Sequence, residues 1–144
     1  MQMIHTIIVP QGAEYQVVCR GVSRVTADQL QVIAIPMGME SLRQFLALSC
    51  QHLNQPVLLM GLCGSLNQCY GVGDLVLYRD CIDQNHLQAC SSNLTADIYK
   101  KIEEQVSFVK GLTSDCVISL TEEKSNLHEQ SGTDIVDIEE FAFL

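Results

Sequence analysis

Three groups of residues in this chain have the types and spacing to do chemistry. Glu14 follows an apolar segment and a Pro10-Gln-Gly-Ala turn. A carboxylate there projects from a sheet edge, where open α/β folds place their ligands, or else it is a solvated loop side chain. Near the C-terminal end, Asp137 and Glu139 flank Ile138 in Asp134-Ile-Val-Asp-Ile-Glu-Glu-Phe-Ala-Phe-Leu. In a strand, both carboxylates point to one face, and Glu140 points the other way, as a surface residue. A carboxylate with two oxygens can accept hydrogen bonds from the two hydroxyls of a ribose. Between these groups, Pro56-Val-Leu-Leu-Met-Gly-Leu-Cys-Gly-Ser-Leu is an apolar strand opening into Gly61 and Gly64, followed by Gly73-Asp-Leu-Val-Leu. A glycine turn after a strand lets backbone approach a ligand closely, and it also occurs in ordinary turns.

Several chemistries find no support. The Gly61–Gly64 pair lacks the third glycine and helix entry of a dinucleotide fingerprint, and no Gly-Lys-Ser/Thr follows it. Cys63 lies between the glycines with neutral neighbours, so nothing lowers its pKa, and it reads as a packing residue. His5, His52, His86 and His128 are scattered, with no serine or cysteine placed to form a nucleophile–base pair. The seven cysteines include no Cys-x-x-Cys and read as reduced, mostly buried thiols of a cytoplasmic protein, not as metal ligands.

The chain has 144 residues, 47% of them hydrophobic, which is enough for one domain with a real core. A net charge of −9 argues against nucleic acid, which needs a basic face. The acidic excess lies mostly after Ala96 and reads as a solvated helical surface rather than an acidic docking site. No apolar run approaches the about 18 residues that span a bilayer, so no membrane partner is expected. The start lacks a basic region ahead of a long apolar stretch, so no signal peptide is expected.

The elements that must position these groups alternate between strand and helix. Strands are expected at Met3–Val9, Leu30–Pro36, up to Met60, Asp74–Tyr78, Leu112–Ile118 and Asp134–Ile138. Tyr15–Val18 reads as a short helix or strand. Helical periodicity runs from Glu40 to Leu53, with Leu42, Phe45, Leu46, Ser49 and Leu53 on one face. Thr95 is placed to cap a helix from Ala96 to about Val106, and Ser119-Leu-Thr-Glu fits a capping box for a helix to about Gln130. Gln84–Asn93 reads as a polar loop, and Glu139–Leu144 as the first turns of a helix. Mostly apolar strands alternating with helices define an α/β class, three layers (αβα) around a central mixed, mostly parallel sheet.

Taken in order, the strand, turn glutamate, strand, Met-Gly at Met37-Gly38, helix, Gly61-x-x-Gly64, Gly73-Asp74 and Val136-Asp-Ile-Glu resemble the nucleoside phosphorylase and nucleosidase superfamily. The nearest likeness is to methylthioadenosine/adenosylhomocysteine nucleosidases and phosphorylase-like proteins. The resemblance implies that Glu14 orients an attacking water and that Glu139 holds ribose hydroxyls. It places Ile138 against the sugar, Leu62, Cys63 and Gly64 in the loop lining the sugar site, and Val117 and Ile118 near the base. It implies a small nucleoside-like ligand and no cofactor or metal. Leu59 and Leu62 stand where phosphorylases carry phosphate-binding residues, and an unpaired buried dianion is costly, so hydrolysis is favoured over phosphorolysis. The family's acid, an aspartate in a Ser-Asp pair after the ribose-binding glutamate, has no counterpart here, since Ser114-Asp115 precedes Glu139. The alternative function is therefore a catalytically degenerate nucleoside- or ribose-binding, or structural, module. An exposed sheet edge and the apolar Phe141-Ala-Phe-Leu imply self-association as a two-fold homodimer.

Overall fold

The computed structural model describes residues 3–25, 29–49, 53 and 55–144. The chain divides into two compact units, one comprising residues up to Leu62 together with Phe143, the other residues from Cys63 to Ala142 together with Leu144.

The first unit is built on a β-branched run. Strand β1 (Thr6–Pro10) buries Ile7, Ile8 and Val9 almost completely. It is the middle strand of a parallel sheet ordered β2-β1-β3, with β2 (Gln31–Ile35) and β3 (Val57–Leu59) on either side. A central parallel strand is covered on both faces, which is why its apolar residues run on without alternation. Fully burying a side chain such as Ile8 stabilises the unit by about 1.5–3 kcal/mol.

The chain leaves β1 through Gln11, whose N–H donates to Ile35 O at 2.8 Å, and Gly12, whose φ of +106° suits a residue without Cβ. Helix α1 (Ala13–Val22) follows at once and carries Glu14 in its first turn. Helix α2 (Met39–Ser49) buries Leu42 and half-buries Phe45, Leu46 and Ser49, as the periodicity predicts. It ends at Ser49, Leu53 lies outside any helix, and the intervening part of the expected extension falls outside the described residues.

The second unit holds a mixed sheet of five strands ordered β4-β8-β7-β5-β6. These are β4 (Gly64–Ser65), β5 (Leu75–Asp83), β6 (His86–Ala89), β7 (Val106–Thr113) and β8 (Ile135–Asp137). The β5–β7 and β7–β8 pairs are parallel, whereas β4–β8 and β5–β6 are antiparallel. Across both units parallel pairs outnumber antiparallel ones, and the fold class is α/β.

Four expected elements are corrected. The polar segment from Gln84 is not a loop: β5 runs on to Asp83, turns through Gln84 at φ +52°, and pairs back as β6. All four β6 side chains are exposed, so main-chain pairing makes this strand and no apolar pattern announces it. Helix α3 spans Ser92–Ile102 behind Ser91, not Thr95. Val106, taken for its last inward residue, opens β7 instead, and the strand expected over Leu112–Ile118 is this one, displaced toward the N-terminus. Helix α4 (Thr121–Ser131) has Leu120 at its N-cap without a side-chain bond, so the capping box at Ser119 does not form. It closes on Gly132 at φ +65°, whose N–H donates to His128 O at 2.9 Å. Leu66, Ile118 and Val136 form a buried cluster, joined by Leu112 and Leu127. A last short helix, α5 (Glu140–Phe143), follows β8. No helix among the described residues is long and apolar enough to cross a membrane.

Candidate functional site

In the first unit, α1 begins three residues after the β1–β2 pairing ends, so Glu14 stands at the C-terminal end of a parallel sheet. Oxygen Oε2 of Glu14 is buried and has no hydrogen-bond partner among the described residues. A Cβ placed on Gly61 would lie 3.2 Å from that oxygen and 3.4 Å from Pro10 Cδ. Gly61 therefore leaves just the room that the carboxylate occupies. Burial raises the Glu14 pKa above its ordinary value, and the backbone N–H of Leu62 partly offsets this. A buried acceptor without a donor is costly in a fold and is the usual mark of a group awaiting a water or ligand. Leu62 itself is exposed, and Leu59 is half-buried.

In the second unit, β8 delivers the other carboxylates. The strand stops at Asp137, and the expected alternation through Glu139 stops with it. Asp137 Oδ1 accepts hydrogen bonds from Thr113 Oγ1 (3.0 Å), the Glu139 N–H (3.0 Å) and the Glu140 N–H (2.9 Å). Its Oδ2 accepts the Tyr78 hydroxyl at 2.8 Å. Asp137 is thus committed to the protein, not to ligand hydroxyls. Glu139 is the N-cap residue of α5, buried to 8% exposure.

Glu140 overturns its surface assignment. Its carboxyl group is desolvated, and with Asp137 and Glu139 beside it the pKa is pushed up to about 8. The same burial, with neighbouring acids adding to it, pushes the thiols of Cys81 and Cys90 up to about 12, and Tyr78 well above its ordinary range. Cys81 Sγ and Thr113 Oγ1 share a hydrogen bond of 3.1 Å.

This arrangement has a pH consequence. Glu140 titrates near 4.5 when unfolded and near 8 when folded, so the native state holds the extra proton between those values. Stability therefore falls as pH rises from about 4.5 to about 8 and stays at the lower level above that. Glu140→Gln is expected to raise the thermal midpoint at pH 8 by several degrees and to leave it nearly unchanged at pH 4.5. Melting curves of both proteins across this range test it; a variant less stable than the parent at pH 8 would contradict the burial argument.

The remaining expected site residues are placed as follows. Cys63 is exposed. Gly64 pairs with Val136 in β4–β8, where a Cβ would meet Val136 Cγ1 at 3.1 Å. Ile138 is half-buried between Asp137 and Glu139. Val117 is exposed, while Ile118 belongs to the buried cluster with Leu66 and Val136. Ser114 donates its N–H to Asp137 O at 2.8 Å, and its Oγ accepts the Cys116 N–H. Sequence reasoning missed Tyr78, Thr113 and Glu140. Among the described residues, no three His, Cys, Asp or Glu side chains are grouped to hold a metal ion.

The α/β fold of this chain is shared with nucleosidases of known structure. Among solved structures, the chain is similar to futalosine hydrolase of Helicobacter pylori, with 14% identity over 99% of this chain and 83% of that one and a TM-score of 0.77. It is similar to a putative 5'-methylthioadenosine/S-adenosylhomocysteine nucleosidase of Francisella philomiragia, with 15% identity, 99% and 77% coverage and a TM-score of 0.79. The nucleosidase of that name from Helicobacter pylori, crystallised with butyl-thio-DADMe-Immucillin-A, matches at 14% identity, 98% and 78% coverage and a TM-score of 0.80. At these identities the likeness is one of fold. No protein-family model and no curated protein matches the sequence.

Proposed function

We propose that this protein binds a purine nucleoside or thionucleoside and hydrolyses its N-glycosidic bond. The observation that carries the reading is the buried, unpartnered Oε2 of Glu14 beside Gly61, in a fold shared with nucleosidases. In this reading Glu14, as the carboxylate, accepts a hydrogen bond from a water and directs its lone pair at the anomeric carbon. The bond between the anomeric carbon and the purine nitrogen breaks, and the negative charge of Glu139, hydrogen-bonded to the ribose hydroxyls, stabilises the oxocarbenium-like sugar. The water oxygen then bonds to the anomeric carbon, its proton passes to Glu14, and the departing purine takes up a proton from solvent water. The family resemblance assigns Ile138, Leu62, Cys63 and Gly64 to the sugar, and Val117 and Ile118 to the base. The apolar Leu59 and Leu62 offer a phosphate dianion no positive partner, which favours water as the nucleophile. Cofactor and metal play no part in this scheme. The protein is further proposed to act as a cytoplasmic homodimer, which sedimentation across a wide concentration range tests.

Incubation with methylthioadenosine, followed by chromatography of the purine products, tests the activity. Release of adenine is expected. Binding of the nucleoside without release would favour the catalytically degenerate binding module, and absence of both would leave only the α/β scaffold.

A further inference from the structure

The acidic turn between β8 and α5 contains a device that the proposed reaction does not use directly. Tyr78 sits on β5, Gly111 on β7 and Asp137 at the end of β8, and the sheet order places β7 between the other two. The Tyr78 ring lies against Gly111 so closely that a Cβ there would fall 2.4 Å from Cε2 and 2.9 Å from Cδ2. With no side chain at Gly111, the tyrosine crosses the whole width of β7 and its hydroxyl donates to Asp137 Oδ2 at 2.8 Å. Thr113, paired with Asp137 in the β7–β8 register, donates its hydroxyl to Oδ1 at 3.0 Å and accepts the Phe141 N–H at 3.0 Å. The remaining capacity of Oδ1 is taken by the N–H groups of Glu139 and Glu140. Two side chains on neighbouring strands thus fix one carboxylate, and that carboxylate fixes the backbone on both sides of the Glu139 carbonyl.

We propose that Asp137 is a positioning residue for Glu139, held in place by Tyr78 and Thr113 through the gap left by Gly111. The proposal rests on the reading above only in what Glu139 is held for; the clamp itself is a statement about backbone. Its logic is one of entropy. Glu139 leaves β8 and enters a helix of four residues, which is too short to be stable alone. Without the clamp, the backbone at 139 would sample several orientations, and any ligand held by its carboxylate would have to select one of them. Hydrogen bonds to a charged acceptor are the strong kind, and three side-chain or backbone donors on Oδ1 with a fourth on Oδ2 leave the turn a single geometry.

Tyr78→Phe, Thr113→Val and Asp137→Asn test this on the full chain by two readouts. Amide hydrogen exchange at Glu139, Glu140 and Phe141 is expected to speed up by about tenfold or more in each variant, with exchange in the β5–β7 ladder changed far less. Adenosine affinity by calorimetry is expected to fall about tenfold in Tyr78→Phe. Leu42→Ala serves as the control: it removes buried volume from α2, in the other unit, and leaves every residue of the clamp and its strands unchanged. It is expected to lower the melting temperature at least as much as Tyr78→Phe and to leave adenosine affinity unchanged. Unaltered exchange at Glu139 and Glu140 in Asp137→Asn would overturn the proposal, as would an affinity loss in Leu42→Ala equal to that in Tyr78→Phe. If the parent protein binds no adenosine, the nucleosidase reading fails, and exchange alone still decides whether Asp137 holds the turn.

Discussion

Glu14→Gln is expected to lower adenine release from methylthioadenosine by about 10²–10⁴-fold while leaving the protein at least as stable as before. The two halves of this expectation have one cause. Glu14 Oε2 is buried without a partner, and burial raises the pKa of the group, so its charged form is held in the fold at a cost. Glutamine has the same shape and carries no charge, so the cost disappears with the substitution. What disappears too is the acceptor that would orient a water for attack. A structural residue behaves oppositely, since its loss lowers stability and lowers activity only through unfolding. Release within about threefold of the parent rate, under conditions where both proteins are folded, would remove Glu14 from the mechanism.

The largest expected effect on stability comes from Gly111→Ala. In an ordinary strand this change stabilises by about 0.4–1 kcal/mol, because alanine has less freedom to lose on folding. At Gly111 the sign reverses. The new Cβ would fall 2.4 Å from Tyr78 Cε2 and 3.0 Å from Cζ, distances that atoms do not tolerate. A free ring would swing away cheaply, but this one is anchored through its hydroxyl to Asp137 at 2.8 Å. Moving it breaks a hydrogen bond to a charged group, worth about 1.5–3 kcal/mol, on top of about 1–3 kcal/mol for overpacking. A loss of about 3–5 kcal/mol by urea denaturation is therefore expected. Combining Gly111→Ala with Tyr78→Leu removes the clash and the anchor together, so the double variant is expected to be less damaged than the two single losses summed. A single Gly111→Ala within about 1 kcal/mol of the parent would show that the ring is not fixed as described.

How legible this was in the sequence varies with how locally each element is encoded. The β-branched run from Ile7 to Val9 and the helical spacing of Leu42, Phe45 and Leu46 carry their own pattern, and the structure has β1 and α2 where those patterns lie. Strand β7 has no such clarity. Lys110 and Gly111 interrupt its apolar residues, and the glycine is required by a tyrosine on another strand, a reason invisible along the chain. Strand β6 is exposed at every position and exists because β5 has a main-chain edge to pair with. At the acidic turn, strand alternation ends two residues before Glu139. Asp137 stands three residues before the first residue of α5 and accepts the N–H of Glu139 and Glu140, which is the bonding of a helix-start aspartate and breaks the strand. That spacing is a signal for the turn that the sequence does carry. The position of Glu14 was legible, since a glutamate just past a strand and a Pro-Gln-Gly turn lies near the sheet end, and the structure has it in the first turn of α1.

The claim that binds the account together is that Glu139 recognises vicinal sugar hydroxyls. Calorimetric titration with adenosine and with 2',3'-dideoxyadenosine tests it most directly, in the parent protein and in Glu139→Gln. The account predicts that the parent prefers adenosine by about tenfold or more, as expected for hydrogen bonds to a charged group, and that Glu139→Gln erases most of the preference. Equal affinity of the parent for the two nucleosides would contradict it.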